Sequence, residues 1–146
     1  MNRFQITRTG TYLTVQDWGR FHYQHLGVSP SGIMDQRIPR ALAKVIPHHQ
    51  NQFLEFAYVG PSLKVIQGAI KVSVGGQCNI FVQKNNNTQI EHAPYTSINL
   101  FEGDELTIHN TIDSVYGYIA FENGLGLESC LQSFATDTKA QIGSIN

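Results

Sequence analysis

Phe53-Leu54-Glu55-Phe56-Ala57-Tyr58-Val59, Ser62-Leu63-Lys64-Val65-Ile66-Gln67 and Ala69-Ile70-Lys71-Val72-Ser73-Val74, followed by Gly75-Gly76, decide the fold class. Each run is short and rich in β-branched and aromatic residues. Turn residues such as Gln67-Gly68 and Gly75-Gly76 close them, which is a pattern of strands. The same reading extends outward to Arg3–Thr7, Tyr12–Gln16, Asn79–Gln83, Thr88–Glu91, Tyr95–Leu100, Glu105–His109 and Val115–Phe121. Asn85-Asn86-Asn87 and Glu102-Gly103-Asp104 supply further turns.

One segment breaks the pattern. Ile38, Ala41, Leu42, Val45 and Ile46 recur at helical spacing, which predicts a helix over about residues 35–46. Asp35 is suited to accept the orphan N–H groups at its start. Pro39 is tolerated only in a first turn, and Pro47 ends the helix. The expected architecture is therefore mainly β, with one principal helix packed on a curved or closed sheet. No linker, repeat or low-complexity tract interrupts it, so residues 1–146 read as a single domain.

Composition narrows the function. Charged residues make up 14% of the chain, well below the roughly 25% usual for soluble domains. The net charge of −1 offers no global pull on a phosphate backbone, which argues against nucleic acid. No apolar run approaches the roughly 20 residues of a membrane span. Met1-Asn2-Arg3-Phe4-Gln5 lacks the apolar stretch of a secretory signal. Cys78 and Cys130, far apart in sequence, read as reduced and mostly buried thiols of a cytoplasmic protein.

The densest chemistry lies before the helix, in Thr14-Val15-Gln16-Asp17-Trp18-Gly19-Arg20 and Gly27-Val28-Ser29-Pro30-Ser31-Gly32-Ile33-Met34-Asp35. Gly27, Ser31, Gly32 and Asp35 are candidate binding residues. A hydroxyl and free N–H groups at a helix start make a small anion or oxyanion site. Arg20 is suited to a two-pronged grip on a carboxylate or phosphate. Asp17 is suited to orient Arg20 or to act as a base. The competing structural reading pairs Asp17 with Arg20 as a brace and leaves Asp35 as a cap. Glu55, in an otherwise apolar run, is either a functional carboxylate with a raised pKa or a rim residue facing water.

Other chemistries find less support. His22 and His25 are three apart and His48 and His49 adjacent, but nothing completes a tetrahedral metal set. Surface histidines and no metal are expected. Gly75-Gly76 lacks a following Lys-Ser/Thr pair and reads as a turn, not a phosphate loop. Cys78 has no neighbouring His, and Ser31 lacks a nucleophile elbow. Polarisation and positioning fit this polar inventory better than covalent catalysis.

The pattern Thr-Val-Gln-Asp-x-Gly-Arg at 14–20, with Gly-Val-x-x-Ser-Gly-x-Met-Asp at 27–35, resembles the biotin-dependent carboxyltransferase-like family. That family includes allophanate hydrolase subunit 2, the 5-oxoprolinase C-subunit and an antagonist of a sporulation-kinase inhibitor. Leu54-Glu55 and Gly60-Pro61-Ser62-Leu63 match a second block, and Ser133-Phe134-Ala135-Thr136 with Ala140 to Gly143 a weaker third. Three departures stand out. Ser29 replaces a usual proline, Pro47-His48 lies near a usual Gly-Asn, and Tyr116 falls near a frequent arginine.

The resemblance implies a cyclophilin-like β-barrel-type domain, the N-terminal half of a protein about twice as long. It implies a component of a 5-oxoprolinase-type complex in which ATP activates a lactam carbonyl and water opens the ring. In that scheme Arg20 holds the substrate carboxylate, Ser31 and Gly32 steady the oxyanion, and Asp17 and Glu55 orient Arg20 or move protons. One alternative is carboxyl transfer from carboxybiotin to urea or a similar amide. The other is a non-catalytic module that binds a kinase-inhibitor-like partner. In each case ATP or carboxybiotin enters through the complex, which includes a companion subunit and the C-terminal half. This chain alone binds no cofactor and is expected to be inactive in isolation.

Overall fold

The computed structural model describes residues 1–137. Ten strands and one helix follow in chain order: β1 (Arg3–Arg8), β2 (Leu13–Gln16), α1 (Arg37–Val45), β3 (Phe53–Ala57), β4 (Ser62–Gln67), β5 (Ala69–Gly75), β6 (Cys78–Gln83), β7 (Gln89–His92), β8 (Ile98–Phe101), β9 (Glu105–Thr111) and β10 (Tyr116–Phe121). A short 3₁₀ turn, Gln24–Leu26, lies between β2 and α1. One antiparallel sheet runs β1-β4-β9-β6-β7, the other β2-β3-β10-β5-β8.

The mainly β class with one helix holds, but the barrel is not closed: two five-stranded sheets stack and each keeps two edges. Their inner faces share the larger core, in which Phe56, Val74, Ile80, Leu100, Leu106 and Ile119 are fully buried. Strands with one wet face alternate as expected, β8 reading buried, exposed, buried, exposed.

β3 and β10 are buried along nearly their whole length because both of their faces are covered. Leu54, Phe56, Ile119 and Phe121 point into the sandwich. Phe53, Tyr118 and Ala120 point the other way, into a second cluster with Ile38, Leu42 and Ile46 of the helix region. Burying the Leu42 and Ile46 side chains contributes about 1.5–3 kcal/mol each. The helix can sit this low because Gly75 has no side chain. A Cβ there would lie 2.6 Å from Ile38 Cγ2 and 2.9 Å from Leu42 Cγ.

The helix begins later than the sequence predicts. It starts at Arg37, with Gln36 at the cap position making no side-chain cap bond. Asp35 instead accepts the Arg37 N–H at 3.2 Å and grips the Arg37 guanidinium at 3.0 and 2.9 Å. Pro39 then falls in the first turn, where its missing N–H costs nothing. The Ile46 N–H closes the last turn on Leu42 O at 2.9 Å, and Pro47 follows.

Two further expectations are corrected. Cys78 is buried but Cys130 is exposed, and both are free. His49 is not on the surface. It is buried with its ring 4.9 Å from that of Phe53, and its Nδ1 accepts the Asn51 N–H at 2.9 Å. Burial lowers its pKa. Ala140 to Gly143 of the third sequence block lie outside the described residues. Among the described residues, no helix is long and apolar enough to cross a membrane.

Candidate functional site

The stretch between β2 and α1 folds back on itself. Its two arms are stitched by Arg20 N–H to Pro30 O (2.5 Å) and Ile33 N–H to Asp17 O (2.9 Å). Gly32 makes the closest approach: with φ +98°, it would place a Cβ 2.9 Å from both Cα and N of Gly19. Its N–H is not free for an oxyanion, because Gln16 Oε1 accepts it at 3.0 Å. Ser31 also has positive φ, and its N–H is taken by Ser29 Oγ at 3.2 Å. Beyond the stitch, in residues 21–29, Phe21 and Leu26 are exposed. Gly27 ends the 3₁₀ turn there, its N–H on Gln24 O at 2.9 Å, away from the buried polar residues.

Asp17 and Arg20 are both buried, and among the described residues they form no ion pair with each other. Each grips the 130–135 segment instead. Asp17 accepts Ser133 Oγ–H at 2.8 and 2.9 Å, the Phe134 N–H at 2.8 Å and the Gly19 N–H at 2.9 Å. Arg20 donates from Nε to Cys130 O (3.0 Å) and from Nη2 to Ala135 O (2.8 Å) and Ser133 O (3.5 Å). Its Nη1 has no hydrogen-bond partner among the described residues. The Asp17–Arg20 pair expected as a brace therefore does not form; each residue instead ties the loop to a distant segment. Just beyond it, Thr136 N–H joins Val15 O of edge strand β2 at 3.0 Å.

Glu55 is the centre of a polar row across the outer face of the second sheet. Strand register sets Thr14, Glu55 and Tyr118 side by side on β2, β3 and β10. Glu55 is wholly buried. It accepts the Tyr118 hydroxyl in a very short bond, the Met34 N–H at 2.9 Å and the Tyr12 hydroxyl at 3.1 Å. Tyr118 Oη in turn accepts the N–H groups of Met34 (3.1 Å) and Asp35 (3.0 Å). Sheet and helix start are thus pinned together through one carboxyl–phenol pair. Burial pushes the Glu55 pKa up, although its three donors oppose the shift. Burial likewise raises Tyr118 and Tyr12.

Of the residues singled out in the sequence, Glu55 and Asp35 meet through Tyr118, and Asp17 and Arg20 meet on the 130–135 segment. Asp35 also borders an open concavity of about 300 Å³ at the helix start, lined by Arg37, Ile38, Gly76, Tyr95, Asp113 and Ser114 among others. Tyr118 was missed because a tyrosine in an apolar run reads as core, and Tyr12 because nothing local marks a tyrosine just before a strand. Their hydroxyls meet Glu55 only in the folded sheet, Tyr118 by strand register and Tyr12 from the turn before β2. Among the described residues, no group of three or more His, Cys, Asp or Glu is placed to hold a metal ion. Gly75 and Gly76 lie where β5 turns toward β6, and the Gly76 N–H is given to Tyr95 Oη at 3.1 Å, so they do not form a phosphate cradle.

A protein-family model for the carboxyltransferase domain, subdomain A and B, matches residues 26–146. Urea amidolyase of Lachancea kluyveri is 29% identical over 98% of this chain, which covers 8% of that protein. The 5-oxoprolinase C-subunit of Haemophilus influenzae is 28% identical over 90% of this chain, covering 41% of that protein. Its Escherichia coli counterpart is 24% identical over 97%, covering 44%. The chain thus spans less than half the length of each of these relatives. Among solved structures, TTHA0988 superposes with a TM-score of 0.84 at 26% identity, over 96% of this chain and 51% of that one. The K. lactis urea amidolyase gives 0.84 at 26% identity, over 96% of this chain and 8% of that one.

Proposed function

This chain belongs to the family of carboxyltransferase domains composed of subdomains A and B, and from that premise we propose that it forms half of a subunit in a 5-oxoprolinase-type lactam hydrolase. The carrying observation is Glu55, a buried carboxyl whose pKa burial raises and which Tyr118 ties to Asp35 at the edge of the concavity. The match to the 5-oxoprolinase C-subunit, in proteins that are separate subunits, runs along 90% and 97% of this chain.

In this reading the concavity at the helix start receives the lactam, with Asp35 at its edge. Asp35 and Glu55 share Tyr118 as a neighbour, so substrate-facing and proton-holding groups sit on one rigid unit. Glu55 holds or accepts the proton that moves as water adds to the carbonyl and the ring C–N bond breaks. Asp17 and Arg20 act as positioning residues, fixing the loop that carries Ser31 and Gly32. ATP, which activates the carbonyl, enters through partner subunits.

A second reading, carboxyl transfer to urea or a similar amide, is favoured by the urea amidolyase match along 98% of the chain. There carboxybiotin comes from a separate carrier domain. One experiment separates the two: lactam-dependent phosphate release by the assembled complex, alongside biotin-dependent carboxylation of urea. The first reading expects lactam turnover that falls about 10²-fold or more in Glu55→Gln. Urea carboxylation without lactam turnover would transfer the assignment to the second.

A further inference from the structure

Glu55 is sealed from solvent, yet a carboxyl that serves as acid or base must be reloaded. The hydrogen-bond directions around it identify the route. Gln16 Oε1 accepts the Gly32 N–H, which fixes the amide so that Nε2 donates to Thr14 Oγ1 (3.0 Å) and Thr136 O (3.3 Å). Thr14 Oγ1 must then donate onward, to Tyr12 Oη at 3.1 Å, and Tyr12 donates to Glu55 Oε1. A one-way chain of donors therefore runs from the Gln16 amide into the carboxylate.

The far side behaves differently. Tyr118 Oη receives two backbone N–H groups, from Met34 and Asp35, so its own proton can only point at Glu55. Tyr118 is also fully buried, whereas Tyr12 is 38% exposed. Of the three donors to Glu55, the Met34 N–H is part of the backbone and does not exchange roles. Among the described residues, only Tyr12 combines a hydroxyl on the carboxylate with a partly exposed side chain.

We infer that Tyr12 is the proton-relay residue of this site, the group through which Glu55 gains and loses its proton. A donor on the solvent side gives a proton to Tyr12 Oη as the phenolic proton passes to Glu55 Oε1. The donor ends as its conjugate base, Tyr12 is again a neutral phenol, and Glu55 is a carboxylic acid; the reverse sequence discharges it. The groups facing Glu55 are Tyr12 and Thr14 from the β2 arm, Tyr118 from β10, and the N–H groups of the helix start. Tyr116 of β10 acts electrostatically on Tyr12. The Asp35 carboxylate is turned to Arg37, and no Lys, Arg or His contributes to the Glu55 environment among the described residues. Use of the relay in turnover rests on the function proposed above; the proton exchange itself does not.

The test is the protonation rate constant of the Glu55 side-chain carboxyl, read by ¹³C relaxation dispersion near its titration midpoint in protein labelled at glutamate, with Tyr12→Phe beside the wild type. Loss of the relay should lower that rate constant about 10-fold or more, whereas loss of a hydrogen bond alone only raises the midpoint. In the assembled enzyme Tyr12→Phe should lower kcat about 10–100-fold with KM unchanged. Thr14→Val, which removes the group directing the Tyr12 hydroxyl, should lower the rate constant by less, and serves if Tyr12→Phe fails to fold. A protonation rate constant unchanged in the folded variant overturns the relay. If the wild-type complex turns over no lactam, the functional reading falls, while the exchange measurement still decides the relay.

Discussion

Ser133 Oγ lies 2.8 and 2.9 Å from the two carboxylate oxygens of Asp17, a contact that spans 116 residues of chain. The pair closes the signature loop onto the last described segment. Asp17 also holds the N–H groups of Phe134 and Gly19. Removing the carboxylate strands these donors in a buried setting, so Asp17→Ala should cost about 3 kcal/mol. Ser133→Ala removes one donor and should cost about 1 kcal/mol. Urea unfolding at constant m-value checks both. Equal and negligible losses would show that the contact contributes nothing to holding the loop.

The two loop glycines should respond differently to alanine. Gly32 combines φ +98° with a Cβ position 2.9 Å from Gly19 backbone atoms, which cannot move aside like a flexible side chain. Gly27 has φ +78° but open space around it. Gly27→Ala therefore bears only the left-handed backbone cost of about 1–2 kcal/mol. Gly32→Ala bears that cost plus a backbone clash, for a total of about 3 kcal/mol or more. Thermal melts of the two variants give the comparison. A Gly27→Ala loss as large as that of Gly32→Ala would refute close packing at the stitch.

Stability should also depend on pH in two opposed ways. The folded Glu55 pKa lies above its ordinary 4.5, with burial as the main cause. Between 4.5 and the folded value the folded state binds more protons than the unfolded chain, so stability falls as pH rises through that window. Asp104 behaves oppositely. Burial pushes its pKa up, but Lys84 Nζ at 2.6 Å and the N–H groups of Phe101 and Asn85 outweigh it, leaving it below 3.8. Its contribution is present above 3.8 and is lost as pH falls through the lower folded value. Urea midpoints in Glu55→Gln should lose the decline above pH 4.5 and keep the acid loss. A decline that survives in Glu55→Gln must come from another group.

Periodicity made the elements readable: every strand and the helix were visible in runs such as Ser62–Gln67, where burial alternates locally. Sheet order was not, because it depends on pairings such as Leu63 with Leu106 that no local pattern encodes. Whether the sheet is curved or closed was likewise undecided by local pattern; the two sheets stay open at β1 and β7 and at β2 and β8. Within the site, Glu55 betrayed itself as an acid in an apolar run. Tyr118 carried no such signal, because a phenol in Tyr116-Gly117-Tyr118-Ile119-Ala120 satisfies a core pattern equally well. The start of α1 was placed too early because Asp35 has a cap's chemistry and does hold a helical N–H, but from outside the helix. Asp17 and Arg20 read as a pair with each other; their true partners, more than 100 residues away, left no local signal.

Arg20 provides the sharpest contrast between reading and geometry. The sequence reading gives it the substrate carboxylate. In the fold it is 1% exposed and spends Nε and Nη2 on the carbonyls of Cys130, Ser133 and Ala135. A lysine keeps the charge but cannot span three carbonyls with one ammonium group. Hydrogen bonds from a charged donor are worth about 1.5–3 kcal/mol each, so Arg20→Lys should lose about 3 kcal/mol after partial rescue by the amine. The loss should be local. Cys130 and Ser133, whose N–H groups pair at 2.9 and 3.2 Å, and Thr136, which pairs with Val15, should exchange hydrogen faster. Amides between β6 and β9 should be unchanged. In the assembled complex the positioning role expects kcat and stability to fall together. A raised KM with normal exchange at residues 130–136 would instead return Arg20, through Nη1, which has no partner among the described residues, to the substrate carboxylate.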